Sequence, residues 1–281
     1  IILMTEPTLY PESGFLRLRL DLAYDGTNFY GWGKQPDRRT VQEEVEKAIA
    51  IISQSKIDSI VAGRTDAGVH ATAQVIHFDI SETDAMDMKD LTYRINAILP
   101  EDVSIQELEV TTPDFDARFA ALSRRYEYLI YQGQRNPLLR DRAHRSYLPL
   151  DVPAMNDASQ ALIGLHDFSA FCKKREGATT IRTLMKFDWT ETPDGLIKVE
   201  LEADAFCYSM VRNLVGAVVC VADGRFDPQW IQGVLNNKER VSDSLVFPAR
   251  GLTLYQVDYP NDEDLLERAK ESIARRNEEN N

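Results

Sequence analysis

The string Gly63-Arg64-Thr65-Asp66-Ala67-Gly68-Val69-His70-Ala71 packs a carboxylate, a guanidinium and two glycines into nine residues. An ionised aspartate on a loop can act as a nucleophile or a general base, and loops held by a rigid scaffold are where such groups concentrate. The same residue types also build an ordinary turn, with Asp66 capping the backbone and Arg64 paired to it at the surface. Spacing alone leaves both readings open. Other chemistries are easier to set aside. His70, His77, His144 and His166 are scattered, without HExxH or a Cys/His cluster, so no metal is expected. Neither GxGxxG nor GxxxxGK[ST] occurs, which counts against a nucleotide cofactor. Cys172, Cys207 and Cys220 lack CxxC spacing and read as buried, reduced thiols.

Several elements must position that loop. Leu16, Leu18, Leu20 and Leu22 alternate with polar residues, the pattern of a half-buried strand ending at the Asp25-Gly26 turn signal. Val41, Val45, Ile49 and Ile52 recur at helical spacing, with Thr40 and Glu43 placed as a capping box. Strands are expected at 59–62 and 73–80, on either side of the loop, then a helix over 89–98 and a strand over 103–110. The second half repeats this alphabet. Strands read over 124–131, 183–191, 196–206 and 251–259, and helices over 151–164, 207–222 and 227–237. The expected fold is therefore α+β, with two similar halves, each a mainly antiparallel sheet with helices, and an active-site cleft between them. The divisions are a flexible N-terminal segment (1–14), an N-terminal half carrying the loop (15–114), a C-terminal half (115–260) and a polar tail (261–281).

The chain has 281 residues, with 32 Lys+Arg against 45 Asp+Glu, a formal net charge of −13. A body so acidic repels phosphate at long range, so a nucleic-acid function needs a local basic surface. No apolar run approaches the ~18 residues of a membrane-spanning helix. The N-terminus lacks the basic region of a signal peptide, and Met4 is the expected start. A cytoplasmic protein is expected.

GRTDAGVHA at 63–71 resembles the signature of the tRNA pseudouridine synthase A family. Further blocks follow in that family's order: Tyr24-Asp25-Gly26 with Gly31-Trp32, Val41-Gln42, Phe115-Asp116-Ala117-Arg118-Phe119, Arg124-Arg125-Tyr126-Glu127-Tyr128, Phe206 with Met210-Val211-Arg212-Asn213, and Gly251-Leu252 through Tyr259-Pro260. The resemblance covers roughly residues 17–260. One departure is Gly33, where the family usually has glutamine.

The resemblance implies isomerisation of uridine to pseudouridine at positions 38, 39 and 40 of the tRNA anticodon stem-loop, by a homodimer and with no cofactor. It makes Asp66 the catalytic carboxylate, Arg212 its basic partner, Tyr126 the face on which the target base stacks, and Arg64 the group that helps displace that base. Independently of the family, Arg212 lies in the apolar stretch Met210–Val221, where an unpaired guanidinium is costly. Arg124, Arg125, Lys173 and Lys174 are expected to contact tRNA, with Arg175 beside them. His70 reads as structural. An RNA-binding module without chemistry and an aspartate-based hydrolase are the competing readings. The first has no need of a paired aspartate, and the second lacks a phosphate loop.

The charges are unevenly spread. Residues 115–150 carry seven arginines against three acids, whereas 79–114 are net −8 and 258–281 net −4. RNA contacts are expected along the first stretch and not along the other two.

Overall fold

Leu18, Leu20 and Leu22 are fully buried on one face of β1 (Phe15–Tyr24), as the alternation requires. In a computed structural model, residues 10–85, 88–173, 179–238 and 246–279 are described. The chain continues with α1 (Val41–Ser53), β2 (Ile60–Val61), β3 (His70–Ser81), α2 (Met88–Ile98) and β4 (Val103–Val110). There follow β5 (Ser123–Tyr131), β6 (His144–Arg145), α3 (Val152–Gln160), β7 (Gly164–Asp167), β8 (Ile181–Glu191), β9 (Leu196–Ala203), α4 (Met210–Ala222), α5 (Pro228–Asn237) and β10 (Leu252–Asp258). The polar tail forms a helix, α6 (Leu265–Glu279).

The fold is α+β and mainly antiparallel. Its strands run into one continuous sheet in the order β4-β1-β3-β10-β5-β9-β8-β7, with β2 added to β3 and β6 to β5. The junction is made by β10, which runs parallel to β3 (Thr253 opposite His70) and antiparallel to β5 (Leu254 opposite Tyr126). This register brings the end of the 63–71 loop beside Tyr126. Helix α3 packs on β8 and α4, while α1 and α2 pack on each other. Helix α4 is buried along nearly its whole length, consistent with its run of valines.

Two local expectations change. Thr40 precedes α1 but makes no side-chain cap. Instead the Val41 and Gln42 N–H groups donate to the carbonyls of Gly31 and Trp32, at 3.2 and 3.0 Å. Free helix donors satisfied by the carbonyls of a preceding turn have no use for a capping box. The helix expected from 207 begins only at Met210, because Ser209 takes a left-handed conformation (φ +61°) that a helix cannot include.

Candidate active site

The Asp66 loop is gripped from the side by the segment joining β1 to α1. Trp32 N–H donates to the Thr65 carbonyl (3.1 Å), Gly68 N–H to the Phe29 carbonyl (3.2 Å), and the Tyr24 and Thr65 hydroxyls bond at 2.7 Å. Gln74 on β3 donates to the Gly63 carbonyl at 2.9 Å. Gly31 sits at φ +90°, and a Cβ there would come within 2.8 Å of the Thr65 carbonyl oxygen. Its bare backbone is what lets the loop approach so closely. Gly33, the departure from the family pattern, flanks the Arg64 side chain, with Nε 3.8 Å from where a Cβ would stand.

Asp66 faces the start of α4. Arg212 Nη1 donates to its Oδ2 at 3.1 Å, and the Ser209 hydroxyl donates to the same oxygen at 2.9 Å. The Asp66 and Arg212 side chains are only 14% and 20% exposed, so their attraction is little screened. Arg212 is itself held, donating through Nε to the Phe247 carbonyl at 2.6 Å and accepting from the Phe247 N–H through its own carbonyl at 3.1 Å. Both donors stabilise negative charge on the carboxylate. Sequence reasoning missed Ser209, because Cys207-Tyr208-Ser209 reads as the first turn of the apolar helix.

Asp66 and Arg212 border a cavity of about 510 Å³, within the range of small-molecule sites. Tyr126 borders it too, set edge-on against Phe206 with ring centroids 5.2 Å apart. Burial pushes the Tyr126 phenol well above its ordinary value, reinforced by the Asp66 charge, so the hydroxyl stays protonated. Arg64 and Lys173 also line the cleft, Lys173 over the Tyr208 ring at 5.5 Å. Lys174 and Arg175 lie outside the described residues.

The two remaining expected contacts separate. Arg124 lines the cleft, but its guanidinium is buried and donates to the carbonyls of Ala62, Arg118 and Asp204. It ties the strand before the loop to the strand end beyond β9. Arg125 points to the opposite sheet face, 3.2 Å from Glu202 and from Asp258, and does not border the cleft. Adjacent residues on a strand face opposite ways, so a basic pair in sequence is not a basic pair in space. His70 is structural as expected: its Nδ1 accepts from Gly26 N–H at 3.1 Å, which leaves Nε2 to donate to the Asp141 carbonyl at 2.7 Å.

The cysteine expectation is overturned for two of three. Cys172 and Cys207 form a disulfide, with Cα atoms 5.8 Å apart, and only Cys220 is a free, buried thiol. Their 35-residue separation conceals a meeting of the turn after β7 with the turn before α4, where the Lys173 N–H also donates to the Tyr208 carbonyl at 3.0 Å.

The polar tail also differs from expectation. Arg268, Ser272 and Arg275 of α6 border the cleft. Among the described residues lining it, eight are cationic, against Asp66 and Asp204 as the carboxylates. A −13 chain thus concentrates positive charge where a carboxylate and an aromatic face meet.

A paired carboxylate bordering a cationic, aromatic-lined cleft on an α+β sheet defines an enzyme site suited to a nucleic-acid base. The profile of the tRNA pseudouridine synthase family matches residues 22–120 and 158–260. The chain belongs to that family, and is accordingly an isomerase that acts on tRNA. It is 48% identical to the tRNA pseudouridine synthase A of Frankia casuarinae, over 93% of this chain and 96% of that one. With the enzymes of the same name from Cutibacterium acnes and Streptomyces avermitilis the identity is 47%, covering 92% and 94% of this chain and 95% of each relative.

Proposed function

We propose that the chain isomerises uridine to pseudouridine at positions 38, 39 and 40 of the tRNA anticodon stem-loop, with Asp66 as the catalytic carboxylate. The observation that carries this reading is the placement of Asp66 Oδ2 on both Arg212 and Ser209, in a cleft that also presents Tyr126. In the reaction the N1–C1′ bond breaks, the base turns, and a C5–C1′ bond forms. The hydrogen on C5 leaves as a proton and N1 gains one, so the conversion is redox-neutral and needs no group from outside.

Asp66 serves as nucleophile or base, and Arg212 and Ser209 hold its charge in position. The target base must leave the stack, at a cost of a few kcal/mol. Stacking on Tyr126 offsets roughly 1–3 kcal/mol of that. Arg64 occupies the space the base vacates, and Lys173 holds backbone phosphate at the rim. The enzyme works as a homodimer in the cytoplasm, with one tRNA spanning both subunits.

The test is tritium release from tRNA carrying [5-³H]uridine, with pseudouridines mapped afterwards. Wild type should release tritium and modify positions 38, 39 and 40, while Asp66→Ala releases none. Equal release by both would refute the role of Asp66, and release by neither would favour an RNA-binding module. Light scattering should give a dimer.

A further inference from the structure

Helix α6 begins after the last family-matched residue, 260, yet it reaches the catalytic cleft. Arg268, Ser272 and Arg275 stand four and three residues apart, so they share one stripe of the helix, and all three border the cavity. Leu265 and Ala269, 1% and 0% exposed, seat the helix on the body. Arg268 is mostly buried, with Nη2 directed at the Ala121 carbonyl and Nη1 3.7 Å from Glu271. Arg275 is the exposed member. Its guanidinium lies 3.7 Å from Asp204 Oδ2, while Asp204 Oδ1 accepts from the N–H groups of Thr183 and Ala205. Asp204 is therefore a fixed anchor that leans Arg275 toward the cleft and leaves most of its fork to solvent. The acids Glu267 and Glu271 and the exposed Lys270 lie off the cleft.

We propose that this stripe of α6 is an RNA-phosphate contact, gripping the tRNA backbone beside the nucleotide held in the cleft. A planar guanidinium presents two parallel N–H groups that match phosphate oxygens, while the Ser272 hydroxyl is turned back on the Arg268 carbonyl at 3.0 Å. The contact rests on the tRNA-modifying function proposed above, and it adds to the family-matched core a grip that the acidic composition of the tail conceals.

The experiment measures tRNA binding at several salt concentrations for wild type, Arg275→Ala, Arg275→Lys and Lys270→Ala. The two alanine variants remove the same charge from the same helix, one at the cleft and one off it. Loss of one phosphate contact lowers the slope of log affinity against log salt by about 1. Arg275→Ala should show that drop with weaker binding, Arg275→Lys should keep the slope, and Lys270→Ala should match wild type. An Arg275→Ala slope equal to that of wild type, or equal losses in both alanine variants, overturns the proposal while leaving the parent function standing. A wild-type protein that neither binds nor modifies tRNA overturns both.

Discussion

Two donors converge on one oxygen of Asp66, and they differ in kind. Arg212 supplies charge, whereas Ser209 supplies a short, directed hydroxyl from a residue whose backbone lies in the left-handed region. A non-glycine residue in that region costs roughly 1 kcal/mol. Ser209→Gly should therefore fold at least as stably as wild type, yet release tritium about tenfold to a hundredfold more slowly, for loss of one hydrogen bond to a charged group. Thermal unfolding and tritium release read the two effects separately, and wild-type turnover in Ser209→Gly would deny the hydroxyl any part in holding Asp66. Under the proposed function Tyr126 acts through its ring face and not its hydroxyl. Tyr126→Phe should keep most single-turnover activity, while Tyr126→Leu should lose the equivalent of roughly 1–3 kcal/mol of base stacking. Loss of activity in both variants would point to the hydroxyl instead. The pairing of Asp66 with Arg212 was expected from the family resemblance and from a charge stranded in an apolar run, and the two side chains do meet. Ser209 was not, since nothing in a one-dimensional pattern distinguishes a helix's first turn from a left-handed residue before it.

Among the elements, the segment between β1 and α1 works as a clamp. It takes up the first N–H groups of α1 and holds the Asp66 loop through Trp32 and Phe29. Gly31→Ala should disturb both contacts, lowering turnover and the unfolding temperature together, and a variant with wild-type values would show that the clamp yields freely. Helical periodicity located α1 correctly. It said nothing of what caps the helix, because the capping carbonyls come from a turn ten residues away. A second link joins β3 to the segment before β5, where His77 Nδ1 accepts the Ala117 N–H at 2.9 Å. Burial, with the Arg17 charge nearby, pushes His77 down to about 3, and burial pushes His144 down to about 4. Both must be neutral in the folded chain, whereas the unfolded chain takes up protons near pH 6.5. Stability should be full above that pH and fall steadily as the pH drops toward 3–4. Urea unfolding at pH 7 and pH 5 should show the loss, and His77→Asn, which keeps an acceptor but no titration, should reduce it. An unchanged difference would place the acid sensitivity elsewhere.

Across the whole molecule, charge is sorted by depth as well as by sequence. The −13 total repels extended polyanions, while the cationic side chains gather inside a concave cleft. Under the proposed function a nucleotide flipped out of its stack enters that cleft, and a base kept within a straight duplex does not reach it. Duplex DNA should therefore compete poorly with tRNA near physiological salt, and equal competition would show that the outer surface does the binding. Sequence arithmetic recognised a sorted charge, but assigned the tail to the acidic side, because it summed residues that a helix divides between two faces. The central strand of the sheet carries a different consequence. β10 is the last strand in the chain and lies between β3 and β5. During synthesis the facing edges of β3 and β5 must wait, unpaired, until residues 252–258 emerge from the ribosome. A chain stopped short of Leu252 would expose two sticky edges and never bring Tyr126 beside the Asp66 loop. Only a chain translated through β10 can assemble the cleft that acts on the RNA on which translation depends.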